Sequence, residues 1–164
     1  MPARKTSLDN LDYRIIQILH SNAREAASEI ARRTGTNERT VRKRIERLVA
    51  DGVIRLTAVL NPISLGFVTA VDIFLEVDPD REDEILAELI KMPEVNYVAY
   101  GQGTREVSIQ ARFKDNNEIR TFLQSRLTEI PGLTIASYTL VPSILQDAYD
   151  WMPRWEDLGL SNEK

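Results

Sequence analysis

Apolar residues recur with a helical period along the first fifty positions and with a period of two further on, so the chain divides into a helical part and a sheet-bearing part. Leu8, Leu11, Ile15, Ile18 and Leu19 repeat at helical spacing, with Asp9 suited to cap a helix and Asp12 near its positive end. They predict a first helix ending near His20. Ile30 and Ala31 belong to a short second helix from about Ala26 to Arg33, closed at Thr34-Gly35, where glycine can take the left-handed conformation that ends a helix. Asn37 then caps a third helix, reaching about Val49, whose Val41, Ile45 and Leu48 fall on one side at i, i+4 and i+7. Three short helices with a glycine turn between the second and third predict a helix-turn-helix. The later helix of that motif enters the major groove of duplex DNA by its N-terminal residues.

After the helices, Gly52 to Leu60 reads as an extended segment broken by Asn61-Pro62. Its apolar character predicts pairing with its counterpart in a second subunit, or a wing strand folded back on its own helices. Beyond it, Val71, Ile73, Leu75 and Val77 alternate with Asp72, Phe74 and Glu76, and Val107, Ile109, Ala111 and Phe113 alternate with Glu106, Ser108, Gln110 and Arg112. Asp78-Pro79 opens one helix, its first turn holding Asp80, Glu82, Asp83 and Glu84. Asp115 opens another, with Ile119, Phe122, Leu123 and Leu127 as its buried stripe. Residues 92–100 align without gaps on residues 130–138, sharing a proline, the next aliphatic and a final tyrosine. Two β-α-β units predict an antiparallel ferredoxin-like β-α-β-β-α-β sheet with both helices on one face. Ala70 and Phe74 lie on the other face, which a partner subunit is expected to cover.

The fold class is therefore α+β. Residues 1–52 form a helix-turn-helix domain, 53–66 a linker strand, 67–145 a ferredoxin-like domain and 146–164 a tail. Trp151 and Trp155 of that tail are expected to pack on the body or on a neighbouring subunit, with a disordered end after about Leu158.

Charge sharpens the reading of the first part. Residues 1–60 carry 12 Lys+Arg against 7 Asp+Glu, a balance of +5, whereas the remainder carries 9 against 18, a balance of −9. A basic head on an acidic body fits a polyanion-binding module joined to something else, and the overall net charge of −4 conceals it. Asn37, Arg39, Thr40 and Lys43 sit near the entering end or on the exposed side of the third helix and are candidates for reading base edges. Arg32, Arg33, Arg42, Arg44 and Arg47 are candidates for holding phosphates. The competing structural role for Arg42, Arg44 and Arg47 is pairing with Glu38 and Glu46, worth a few tenths of a kcal/mol each.

These residues also carry a resemblance. The run Leu8-Asp9, Leu11-Asp12, Ile15, Ile18-Leu19, Asn22-Ala23-Arg24, Glu29-Ile30-Ala31, Gly35, Thr40-Val41, Arg44-Ile45, Leu48, Gly52-Val53-Ile54, Asn61-Pro62 and Leu65-Gly66 resembles the N-terminal part of the Lrp/AsnC transcription regulators. The sequence departs at Ala26, where that family usually has a hydroxyl cap, and at Asn37, where serine is usual. The second half resembles the dimerising, amino-acid-sensing domain of the same family, so the resemblance covers roughly residues 8 to 145. It implies an effector-binding loop at Gly101, Gly103, Thr104, Arg105 and Glu106, with Glu106 where the family has aspartate. The threonine-rich last strand of the family reads Ala136-Ser137-Tyr138 here. The bare residue pattern also allows Gly101 to Arg105 to be a plain hairpin loop.

Candidate chemistry is sparse. There is one histidine and no cysteine, and no phosphate-binding Gly-x-x-x-x-Gly-Lys, Gly-x-Ser-x-Gly or His-Glu-x-x-His motif, so no metal or cofactor is called for. The sirohaem decarboxylases resemble these regulators in architecture, and on that reading only His20 is available near a tetrapyrrole. An architectural DNA-packing protein is a second rival, and a regulator answering to another protein or to no effector is a third. No apolar run approaches a membrane span and no signal peptide is evident, which points to the cytoplasm. The expected function is that of a sequence-specific regulator, homodimeric or larger, binding double-stranded DNA and modulated by an amino-acid-like effector.

Overall fold

The computed structural model describes residues 6–101 and 106–161. It forms two compact units. One comprises Met1–Val59 together with Ala148–Lys164, and the other comprises Leu60–Asp147.

The first unit holds α1 (Asn10–Ser21), α2 (Ala27–Thr34) and α3 (Glu38–Ala50). A reciprocal capping box starts α1, because the Asp12 amide donates to Asp9 Oδ1 at 2.8 Å and the Asp9 amide donates to Asp12 Oδ2 at 3.1 Å. Ile15, Ile18 and Leu19 of α1 pack with Ile30 and Ala31 of α2 and Val41 of α3 in a small closed core. Ala26 gives α2 no side-chain cap, as its lack of a polar atom dictates. Gly35 adopts φ 71° and closes α2, its amide donating to the Ala31 carbonyl, so the chain can turn and enter α3 within three residues.

The far end of the chain completes this unit. Short 3₁₀ turns at Ala148–Asp150 and Glu156–Leu158 lie in the tail, and the second is closed by Gly159 with the Leu160 amide donating to the Trp155 carbonyl. The expected disorder after about Leu158 falls partly on residues 162–164, which lie outside the described residues; up to Ser161 the chain is placed, with the left-handed Gly159 ending the turn in a hydrogen-bonded cap. Trp155 packs on the first unit, whereas Trp151 is 69% exposed.

In the second unit, β1 (Thr69–Val77), β2 (Val95–Tyr100), β3 (Glu106–Phe113) and β4 (Leu133–Val141) form one antiparallel sheet in the order β2-β3-β1-β4. That is the ferredoxin-like arrangement the repeat led us to expect. The Pro79–Arg81 turn leads into α4 (Glu82–Leu89), and α5 (Asn116–Thr121) runs on as one wide π turn over Phe122–Arg126. One sheet face, with Val71, Ile73, Leu75, Val107, Ile109, Ala111 and Phe113, is buried under Ile85 and Leu89 of α4 and Ile119, Phe122, Leu123 and Leu127 beyond β3. Gly132, at φ 86°, is required for close approach as well as for its turn, since a Cβ there would lie 3.0 Å from that of Asp78. The opposite face carries a hydrogen-bonded ladder, Asn96 to Gln110 at 3.1 Å and Gln110 to Asp72 at 2.8 Å, beside Phe74, which is 44% exposed.

The segment from Arg55 to Asn61 forms no helix or strand within the chain, so the wing-strand alternative is corrected. Leu56, Val59 and Leu60 are exposed, which leaves their backbone and side chains available to another surface.

Candidate nucleic-acid interface

Helix α3 is set by three devices. Asn37 Oδ1 accepts the Thr40 amide at 2.8 Å and caps its start, a contact worth about 1 kcal/mol. Val41 and Leu48 are fully buried on its inner side. The third device is ionic. Arg44 Nη1 bridges Asp9 Oδ2 at 2.6 Å and Asp12 Oδ1 at 3.0 Å, and Arg47 donates to Asp12 Oδ2. Asp12 is only 1% exposed, and each of its two carboxylate oxygens is met by a guanidinium. Burial pushes the Asp9 carboxyl up, but the Asp12 amide and the Arg44 guanidinium outweigh it and hold Asp9 below the ordinary value.

The residues expected to contact DNA therefore separate into two sets. Arg44 and Arg47, expected on phosphates, tie α3 to the start of α1 through Asp9 and Asp12, not through Glu46. Asn37, Arg39 and Lys43 are exposed, and Thr40 is half-buried. Arg39 and Lys43 have no ion pair among the described residues, and with Glu38, Arg42 and Glu46 they line a shallow groove along the outer side of α3. Arg42 pairs with Glu38 at 2.5 Å, Arg32 with Glu29 at 2.5 Å and Arg33 with Glu25 at 3.7 Å. These are exposed pairs of small worth, so a phosphate can compete for each guanidinium.

The missed contribution is that of Asp12. Its proximity to a helix start was legible, but the 32 and 35 residues separating it from its two arginine partners left no local signal.

In the sheet unit, the Gly101 amide donates to the Glu106 carbonyl at 3.0 Å, which closes the β2–β3 connection as a hairpin. Glu106 begins β3 opposite Glu76. Gly103, Thr104 and Arg105 lie outside the described residues. Beside the hairpin, Leu86 and Ile90 with Val95, Val98 and Tyr100 line an apolar groove of roughly 410 Å³. The Tyr100 hydroxyl donates to the Glu82 carboxylate, which raises the phenol above its ordinary value. Sequence reasoning did not single out this groove, whose lining includes the exposed Ile90, Tyr97 and Tyr100.

His20, the residue left to the tetrapyrrole reading, points Nε2 at the Tyr149 carbonyl at 3.2 Å. Among the described residues no group of three or more His, Asp or Glu side chains could hold a metal ion, and no helix is long and apolar enough to cross a membrane.

Comparison with known proteins agrees with this layout. The AsnC-type helix-turn-helix domain matches residues 8–49, and the Lrp/AsnC ligand-binding domain matches residues 70–148. An uncharacterized HTH-type transcriptional regulator of Pyrococcus horikoshii is 32% identical over 148 residues, 90% of this chain and 94% of that protein. The chain belongs to the Lrp/AsnC family of transcriptional regulators. The HTH-type transcriptional regulator FL11 of Pyrococcus abyssi is 34% identical over 130 residues, covering 79% of this chain and 85% of its own. Among solved structures, E. coli AsnC superposes with a TM-score of 0.73 at 25% identity, covering 90% of this chain and 97% of that one. A Neisseria meningitidis regulator solved with L-Met shares the fold, with a TM-score of 0.79 at 24% identity over 85% of this chain and 93% of that one. In this Lrp/AsnC chain the ionic fastening of α3 and the uncommitted Arg39 and Lys43 fall inside the matched helix-turn-helix domain.

Proposed function

We propose that this chain is a sequence-specific regulator that reads duplex DNA through the N-terminal end and outer side of α3. The observation that carries the reading is the division of labour on that helix. Arg44 and Arg47 hold it in place through Asp12, and Arg39 and Lys43, beside Asn37 and Thr40, have no ion pair among the described residues. On this reading Arg39 and Lys43 reach guanine N7 and O6, and Asn37 and Thr40 contact neighbouring base edges. Arg32, Arg33 and Arg42 take phosphates, which sets register without selecting sequence. Arg44 and Arg47 act as positioning residues.

The reading unit is a homodimer or a larger assembly of it. Its support is the half-exposed Phe74 on the uncovered sheet face and the exposed Leu56, Val59 and Leu60 of the connection. Two heads related by a two-fold axis suit a pseudopalindromic site with half-sites about one helical turn apart. An amino-acid-like effector would occupy the hairpin from Gly101 to Glu106 and the adjoining groove, whose volume is of the size small ligands take. The L-Met complex of the Neisseria regulator supports that class of ligand. The protein would act in the cytoplasm, as a binding protein with no reaction of its own. The test is selection of duplexes from a random-sequence pool by the purified protein. Recovery of a two-fold symmetric motif is expected, and recovery of random sequence would favour an architectural DNA packer.

A further inference from the structure

The C-terminal segment is the feature that neither family match accounts for, since the matched residues end at 49 and at 148. Tyr13, Ile16, Gln17 and His20 follow one another at i, i+3, i+4 and i+7, so they form a second stripe on α1, on the face away from Ile15 and Leu19. A tyrosine on that outer stripe would ordinarily be wet, yet Tyr13 is 3% exposed. The tail is what covers it. The Tyr13 hydroxyl donates to the Pro153 carbonyl at 2.7 Å, and its ring lies 3.9 Å, centroid to centroid, from that of Trp155. At the other end of the stripe, His20 Nε2 donates to the Tyr149 carbonyl at 3.2 Å. Within the tail, Arg154 pairs with Asp157 at 3.1 Å and Gly159 closes the 3₁₀ turn, so the segment is folded where it docks.

We propose that residues 148–160 are an intramolecular strap that docks on the outer stripe of α1 and sets the half-site spacing a dimer accepts. The proposal rests on the DNA-reading function given above. Its physical basis is chain length. Without the strap, the helical unit is held only by the connection from Ile54 to Thr69, which can extend to about 50 Å. With the strap docked, the path from the end of β4 at Val141 to Tyr149 adds a second tether that can extend to only about 28 Å. A shorter tether narrows the range of positions available to each head. It thereby concentrates the second head around one separation and excludes others.

The experiment uses a duplex selected from a random-sequence pool by the intact protein, and the same duplex with five base pairs inserted between its half-sites, which turns one half-site to the opposite face. Binding is measured for the intact chain, for a chain ending at Gln146 and for Trp155→Ala, each first checked for native helix content by circular dichroism. The intact chain should lose at least about tenfold in affinity on insertion. The truncated chain and Trp155→Ala should lose no more than about threefold on insertion while still binding an isolated half-site as the intact chain does. Equal sensitivity to insertion in folded Trp155→Ala and in the intact chain would overturn the strap. Failure of the intact chain to select any duplex would instead overturn the DNA-reading function, and the strap's role with it.

Discussion

Arg44 of α3 bridges Asp12 of α1 at 3.0 Å, and Asp12 is buried. Because Arg47 reaches the other oxygen of the same carboxylate, α3 is fastened to the first helix through Asp12, with Asp9 a second anchor for Arg44. Arg44 and Arg47 are thus tied into the structure, whereas Arg39 and Lys43 on the outer side of α3 have no ion pair among the described residues.

Asp12→Asn removes the charge that both guanidiniums share. Loss of a buried acceptor costs about 2 kcal/mol, less than a fully buried pair because both arginines retain access to water. Thermal melting followed at 222 nm should show the helical unit melting several degrees lower. Binding to selected and scrambled duplexes should weaken together, since no base-reading side chain is removed.

Asp9 gives the helical unit an acid limit. Its carboxyl is held below the ordinary value of 3.8 in the folded state, so its stabilising contribution is complete above that pH and is lost as pH falls through the lower folded value. Asp9→Asn should therefore flatten the acid-unfolding profile below about pH 4 while leaving its shape near neutrality unchanged. A wild-type profile of helix content indistinguishable from that of Asp9→Asn in this range would refute the assignment.

Gly35→Ala tests the turn between α2 and α3. A Cβ at Gly35 meets nothing within 4 Å, so any cost comes from the backbone at φ 71° alone. The expected destabilisation is about 1 kcal/mol, measured by urea titration. A neutral substitution would show that the turn relaxes.

Phe74→Asp places a charge on the uncovered sheet face. If that face is the subunit interface, sedimentation at micromolar concentration should show a shift from dimer to monomer with the far-ultraviolet spectrum preserved. An unchanged assembly would place the interface elsewhere.

Much of this arrangement was legible in the sequence because its signals are local. Asp9 and Asn37 read as caps and act as caps, and the alternation through Val71 to Val77 and Val107 to Phe113 marks the covered face of the sheet. Ala26, lacking a polar side chain, read as an uncapped start and is one. What escaped were partnerships between distant residues. Nothing near Asp12 announces Arg44 and Arg47, and on α3 itself Glu46 seemed an equally good partner for them. The tail was expected to pack somewhere, but its docking face depended on Tyr13, which reads as an ordinary outer helix residue until Pro153 and Trp155, 140 residues away and more, are seen against it.

The most direct test of the account is fluorescence anisotropy of wild type and Lys43→Ala on a selected duplex and its scrambled counterpart, at two salt concentrations. The account predicts that wild type prefers the selected duplex, with affinity falling as salt rises, and that Lys43→Ala loses about 1–3 kcal/mol of that preference. Unchanged preference in Lys43→Ala, or equal wild-type affinity for both duplexes, would contradict the claim that the outer side of α3 reads sequence.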